Sequence, residues 1–313
     1  MRQTKNRYDV AWKEAVQRYF RSFLEFFFPE IEQDIDWARP PEFLDNELRQ
    51  MVRDAEVGTR RADLLVRVHR RDGGDAWVLA HVEFQSQPGH DFAHRMYVYY
   101  YRIYDRYRRP VASLAILGDP QPDWRPDRYE NNLWGCQSAL RFPIVKLMDY
   151  RDRLGELERS ENPFALLTAA QLYSHGTRQD SPERMESKYR LVRSLYDRGL
   201  ARPDIVALFE FIDCIMSLSG AQAETFSERI HHLEGEKEMR YVTSIERIGR
   251  RKGRKQGRVE SLFTLLEARF GEVPTSLRAR IESLDDGKTL LELIRQAGTL
   301  PSLGDFERAL PGA

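Results

Sequence analysis

At 313 residues, 41% of them hydrophobic, the chain can bury one large or two ordinary domains, which excludes disorder as its dominant state. Lys plus Arg and Asp plus Glu each number 49, so the net charge is zero and any affinity for nucleic acid has to come from a local patch. Cys136 and Cys214 have no CxxC or metal-ligand spacing, the N-terminus MRQTKNRYDV lacks the apolar core of a signal peptide, and no stretch reaches the ~20 apolar residues of a membrane span, so the expected setting is the cytoplasm, away from membranes.

In chain order, Ala11, Ala15, Tyr19, Phe23 and Phe26 recur at helical spacing and predict a helix over 8–28 that stops at Pro29. Two apolar runs follow, 60–69 and 76–87, separated by Arg70-Arg71-Asp72-Gly73-Gly74-Asp75, whose Asp and Gly residues suit a tight turn and predict a β-hairpin. Over 90–108 a helix carries Tyr97, Tyr100, Tyr101, Tyr104 and Tyr107 at spacings of three and four, a stripe expected to pack on the sheet rather than to stack bases. Residues 110–117 form a short apolar run bounded by Pro and Gly, the mark of a buried strand, and a further strand is expected over 140–147.

From there the pattern is helical to about 248, with Asn162 as an N-cap and Pro163 in the first turn of one helix. The run ERIGRRKGRKQGR, 246–258, holds seven basic residues and three glycines. It reads either as a phosphate-binding patch through Arg250, Arg251, Lys252, Arg254 and Lys255 or as a solvated linker. Beyond it a helix over 261–271 closes on Gly271. The chain therefore divides into an α/β core over 1–150, a helical extension over 151–245, a basic linker over 246–258 and a small helical C-terminal domain over 259–313. That last unit suits binding to DNA, to a partner or to another copy of itself, a homo-oligomer.

The hairpin carries the candidate chemistry. Asp63 is expected to open its first strand and Glu83 to lie towards the end of its second, and antiparallel pairing brings those two ends together. Two carboxylates and the backbone carbonyl of Phe84 are hard oxygen donors suited to Mg²⁺, with Mn²⁺ as a substitute, and a phosphodiester is the natural substrate of such a site. Asp9 and Lys13, spaced i,i+4, either pair on a solvated helix face or present an acid and a base to the site; Arg95 either contacts phosphate or caps its helix.

These residues resemble the PD-(D/E)XK nuclease superfamily, and within it the recombination-promoting nuclease (Rpn, YhgA-like) family. The likeness begins at Tyr8-Asp9-Val10-Ala11-Trp12-Lys13 and Phe26-Phe27-Phe28-Pro29-Glu30. It runs through Glu42-Phe43-Leu44-Asp45, Arg61-Ala62-Asp63 and Glu83-Phe84-Gln85 to Arg95-Met96 and Tyr100. The resemblance implies a restriction-endonuclease-like mixed sheet flanked by helices, followed by an all-α extension and a small helical domain. It implies a Mg²⁺-dependent DNA endonuclease linked to recombination or mobile elements, with Asp63 and Glu83 as metal ligands. Gln85 stands where the superfamily more often has Lys, so it orients by hydrogen bonds and leaves the charge-stabilising role to Lys13, with Asp9 and Arg95 in support. The alternative is a catalytically inactive nuclease fold kept as a DNA-binding or protein-interaction module.

Rival chemistries fit less well. His90 and His94 are spaced i,i+4 like a zinc pair, but the acid between them is the shorter Asp91 at an expected helix start, and no third ligand follows. His231 and His232 are adjacent and leave a helix on different faces. The glycines at 249–257 lack a preceding strand and a Gly-Lys-Ser/Thr ending, and Ser174-His175-Gly176 and Ser217-Leu218-Ser219-Gly220 read as helix ends and turns rather than nucleophile elbows.

Overall fold

The computed structural model describes residues 2–44, 64–83, 92–237, 257–271, 273–274, 277–278, 280–281 and 287–310. The chain divides into two compact units, Met1–Leu233 and Glu234–Ala313.

The first unit opens with helices α1 (Arg2–Arg18), α2 (Phe20–Phe27) and α3 (Pro29–Asp34). The single helix expected over 8–28 is thus broken at Tyr19, whose backbone leaves the helical region and whose hydroxyl donates to Asp204 Oδ1 at 2.9 Å, beside Arg18 Nη2 at 3.0 Å. Burial, reinforced by Asp204, pushes the Tyr19 hydroxyl up to about 12, so it remains a donor. Pro29 does not simply stop a helix; it starts α3 at the first-turn position, where a missing N–H goes unused.

In chain order the strands are β1 (Glu42–Phe43), β2 (Leu64–His69), β3 (Asp75–Glu83), β4 (Val111–Leu117), β5 (Arg128–Leu133), β6 (Cys136–Arg141) and β7 (Ile144–Lys146), with helix α4 (Phe92–Tyr107) between β3 and β4. The main sheet runs β1-β2-β3-β4-β7. Its β1/β2 and β2/β3 pairs are antiparallel, and β3, β4 and β7 are parallel neighbours. The predicted hairpin is β2–β3: Gly73 takes φ +86°, Asp72 Oδ1 accepts from Gly74 N at 2.9 Å, and Arg70 N donates to Gly74 O at 2.7 Å. Beside that turn His69 Nδ1 lies 2.6 Å from Asp75 Oδ1 and Arg67 Nη2 3.1 Å from Oδ2; these bonds, His69 foremost, hold the Asp75 carboxyl below its usual range.

Helix α4 supplies the crossover that parallel strands require. Its sheet-facing stripe is Phe92, Arg95, Met96, Tyr99 and Ile103, which covers Leu65, Ala115 and Leu117. The expected tyrosine stripe is a different face. Tyr101 and Tyr104 are 42% and 45% exposed, and Tyr100 and Tyr104 stack on each other at 6.4 Å; Tyr107 lies at the edge of the Leu65–Tyr99–Ile103 cluster. The reason is competition: two faces of one helix both repeat at three and four, and the more apolar one takes the sheet.

The strand expected over 140–147 is also two pieces. Pro143 cannot donate to a ladder, so pairing breaks there: Cys136–Arg141 joins β5 as a separate two-stranded ribbon, and Ile144–Lys146 alone joins the main sheet. The ribbon turns on Trp134 and Gly135, with φ of +52° and +83°. A non-glycine residue in that region costs about 1–2 kcal/mol.

Helices α5 (Leu154–Arg159), α6 (Pro163–Gly176), α7 (Pro182–Asp197), α8 (Arg202–Ile215) and α9 (Ala221–Glu236) follow a 3₁₀ segment, Leu147–Arg153. Asn162 caps α6 as its sequence predicts, accepting from Phe164 N at 2.9 Å, and its Nδ2 donates to Ser22 O on α2 at 3.0 Å. Buried Trp12 of α1 meets Phe164 of α6 and Phe211 of α8, with ring centroids 6.2 and 5.2 Å apart, and Phe23 of α2 lies 5.3 Å from Phe164. The residues read as a helical extension therefore complete the core beneath α1 and α2, and position 150 is no break in the packing.

The second unit has its own core. Leu262 and Leu266 of the helix over 257–270 pack with Leu290 and Leu293 of α10 (Gly287–Thr299) and Phe306 of α11 (Leu303–Arg308). Gly271, at φ +81°, closes the first of these helices as its sequence predicts. Among the described residues no helix is long and apolar enough to cross a membrane.

Arg184 of α7 is 4% exposed and closes the end of α6 by donating to Ser174 O at 2.5 Å, to Thr177 O, and to Thr177 Oγ1 at 3.0 Å. Arg184→Met should lower stability by about 2–4 kcal/mol in urea unfolding, because buried carbonyls lose a charged donor. A loss below about 1 kcal/mol would sink that role.

Candidate functional site

Strands β3, β4 and β7 run the same way, and their register aligns their carboxyl ends: Glu83 pairs with Leu117, and Leu117 with Lys146. Glu83, Leu117 and Lys146 thus make one row along the edge where open α/β sheets hold their ligands. Gly118 and Asp119 follow directly from β4.

A buried ion pair stands at this edge. Lys146 Nζ lies 2.6 Å from Asp119 Oδ2, both side chains fully buried; the ammonium also donates to Trp124 O at 3.3 Å and lies 5.6 Å from the Trp124 ring centroid. Asp119 Oδ1 accepts from Gln121 N at 2.9 Å, so both carboxylate oxygens are satisfied. Nearer solvent, Arg125 grips Asp149 with two bonds of 2.8 and 2.5 Å and holds that carboxyl below its usual range. His175 Nε2 lies 2.7 Å from Gly118 O, and burial pushes its imidazole below the ordinary 6.5.

His175 also lines an open cleft of about 580 Å³, with Tyr8, Ser174, Arg178, Gln179, Arg184 and Ser219. Tyr8 and Ser174 both donate to Ile215 O, at 3.3 and 2.9 Å. Of the two Ser-containing stretches set aside as nucleophile elbows, Ser174–Gly176 ends α6 and Ser217–Gly220 lies in the turn after α8, and their Ser174 and Ser219 meet in this one cleft.

The residues singled out from sequence fall as follows. Glu83 is the last residue of β3, in the edge row. Asp63, Phe84 and Gln85 lie outside the described residues, as do Arg250, Arg251, Lys252, Arg254, Lys255 and His90. Asp9 and Lys13 are on α1, which packs against β3; Lys13 is half-buried and follows fully buried Trp12. Arg95 is 6% exposed on the sheet side of α4, its guanidinium 5.6 Å from the Phe92 ring centroid, so it is part of the helix–sheet contact rather than a cap. His94 is exposed, with its ring 5.5 Å from that of Tyr129, and His231 and His232 are surface residues of α9.

Asp119, Lys146 and His175 had no assigned role in the sequence. One signal was present: Lys146 is the single charge inside the apolar run Phe142–Met148, and a lysine in a buried strand requires a partner. Which carboxylate supplies it depends on chain folding 27 positions away. Comparison with protein families, curated proteins and solved structures finds no match for this chain.

Two outcomes check this edge. Lys146→Met alone, or Asp119→Leu alone, should cost about 3–5 kcal/mol by stranding a buried charge, while the double variant recovers most of that in urea unfolding. Additive losses would show that the two do not act as a pair. For His175, the unfolded chain takes up a proton near 6.5 before the folded one does, so its contribution to stability is present above that pH and is lost below it. Wild-type melting temperature should fall more steeply from pH 7.5 to about 5.5 than that of His175→Gln, which keeps a donor for Gly118 O; parallel curves would count against it.

Proposed function

We propose that the protein is a metal-dependent DNA endonuclease whose site is built at the carboxyl edge of β3 and β4. The observation that supports this most is topological. A strand, a hairpin, a crossover helix and a parallel strand occur in the order expected of an α/β nuclease core, and Glu83 is the final residue of the hairpin's second strand. The mixed α/β sheet is consistent with the restriction-endonuclease-like fold that the sequence motifs imply.

The proposed donor set, Asp63, Glu83 and the carbonyl of Phe84, is all oxygen and fits Mg²⁺, which prefers such ligands and leaves coordination positions for water and phosphate. When bound, the ion supplies charge for the phosphodiester and lowers the pKa of water. Gln85 then orients the attacking water or the scissile phosphate through its amide, which carries no charge of its own. Lys13 adds positive charge from α1, the helix packed against β3. Asp119 and Lys146 stabilise the edge beneath, since a pair buried on both sides is positioned to hold strand ends in place rather than to reach a substrate.

Incubating supercoiled plasmid with wild type, Asp63→Ala and Glu83→Gln in Mg²⁺, in Mn²⁺ and in EDTA tests this. Nicking and linearisation should require metal and fall by ~100-fold or more in both variants, with plasmid binding unimpaired. A wild type that shifts DNA yet cuts it under no metal would replace this reading with a binding module.

A further inference from the structure

The β5–β6 ribbon stands apart from the main sheet and contributes little to the core. Its strands are exposed along most of both faces, and an isolated two-stranded hairpin is at best marginally stable, so its rigidity comes from where it is seated. Tyr129 stacks on Tyr97 of α4 with ring centroids 4.5 Å apart, Leu140 packs at the edge of the Phe92–Met96 cluster, and Phe142 N donates to Asp127 O at 2.9 Å. Tyr129 and Leu140 are cross-strand partners, so that face leans on the domain and the opposite face looks outward.

The outward face has an ordered chemistry. At its base Arg128 lies directly opposite Arg141, at its far end Asn132 opposes Gln137, and Glu130 opposite Ala139 separates them. Like charges directly opposed across a ladder repel. Among the described residues each arginine has an acidic neighbour at 3.5 Å, Glu130 for Arg128 and Asp127 for Arg141; each arginine is more than half exposed, so the pairing is a weak surface one that a phosphate can displace. The tip is Trp134, 97% exposed, next to Leu133 at 57%. An asparagine would serve a turn with positive φ better, and the 97% exposed indole buries almost nothing against the described residues.

We infer that this ribbon is a duplex-DNA-reading arm. Its outward face enters the major groove with Trp134 leading, Asn132 and Gln137 at base edges, and Arg128 and Arg141 on the flanking phosphates. A two-stranded ribbon fits that groove, carboxamides pair with adenine edges, and four steps of strand set the Arg128 and Asn132 backbones about 13 Å apart, which keeps the arginines at the rim of a groove about 8.5 Å deep when the amides are on its floor. The opposed arginines favour a polyanion over a second copy of this chain, whose net charge is zero. The inference rests on DNA being the ligand of the proposed function, and Glu130 and Asp127 are the carboxylates that it must accommodate.

Anisotropy titrations of a short labelled duplex with the full-length protein in EDTA, where no metal-dependent cutting interferes, decide it. Trp134→Asn, which relaxes the turn, should melt no lower than wild type yet bind duplex about 10-fold or more weakly. Asn132→Ala with Gln137→Ala should lose discrimination between duplex sequences. Arg128→Ala with Arg141→Ala should reduce the slope of log affinity against log salt by about 2. Variants that bind like wild type, or a wild type that binds no duplex, would overturn the arm, and so would self-association of wild type that Trp134→Asn abolishes. A wild type that cuts plasmid with unaffected arm variants would leave the nuclease standing without the arm. One that never cuts, yet binds duplex in an arm-dependent way, would leave the arm standing without the nuclease.

Discussion

The buried pair of Lys146 and Asp119 is the constraint on which the rest of the first unit turns. Neither side chain has any exposure, so neither can meet water if the other moves away, and a buried charge without its partner is strongly destabilising. The pair therefore fixes the segment leaving β4 against the end of β7. Trp124 is held in the same grip through its carbonyl, and its ring meets Phe92 of α4 at 5.6 Å, while Phe92 lies 6.0 Å from Phe142. Phe142 in turn anchors the base of the β5–β6 ribbon. His175 fastens α6 to Gly118, the residue before Asp119. One ion pair thus ties together the edge row with Glu83, the cleft beside it and the ribbon that projects from the same segment.

Much of the framework was legible in the sequence where the signal is local. The Asp-Gly turn between β2 and β3, the Pro- and Gly-bounded strand β4, the Asn162–Pro163 helix start and the Gly271 helix end each follow from a few neighbouring residues, and each stands where those residues put it. What escaped was decided at long range. Tyr19 breaks its helix because Asp204, 185 positions away, accepts its hydroxyl. The tyrosine face of α4 lost the sheet to a more apolar face of equal periodicity, and no spacing rule distinguishes two such faces. The ribbon was hidden because its turn is Trp-Gly rather than Asn-Gly, and because Leu140 to Leu147 reads as one apolar run unless Pro143 is given its full weight as a ladder breaker. At the site, Glu83 was legible as a strand-end acid, whereas the Asp119–Lys146 pair depended on strand order, which sequence periodicity does not encode.

The internal use of arginine bears on how charge should be weighed here. Arg184 forks onto Ser174 O and Thr177 O at the end of α6; Arg198 donates to Ser160 O and Glu158 O at 2.6 and 2.7 Å at the end of α5; Arg269 donates to Ala297 O near the end of α10. Each satisfies carbonyls that a helix leaves without partners and places positive charge at the negative end of its dipole. Burial lowers the pKa of Arg184 and Arg198 from the ordinary value, yet a guanidinium begins so far above neutrality that it stays charged. Arg184, Lys146 and the core-facing Arg95 are buried, and Arg198 and Arg269, though less covered, are committed to helix carbonyls.

A total of 49 basic residues therefore overstates what the surface offers to a polyanion, and zero net charge rules out long-range attraction as the source of affinity. The DNA binding proposed above would then rest on a few well-placed cations. Arg128 and Arg141 are held face to face by the ladder register, with Glu130 and Asp127 3.5 Å away, beyond close hydrogen-bond contact, so part of their mutual repulsion is left for an incoming anion to relieve. Exposed acids paired at close range, such as Asp149 with Arg125, silence their cations instead. On this ribbon register, and not composition alone, decides how two arginines are presented to an anion.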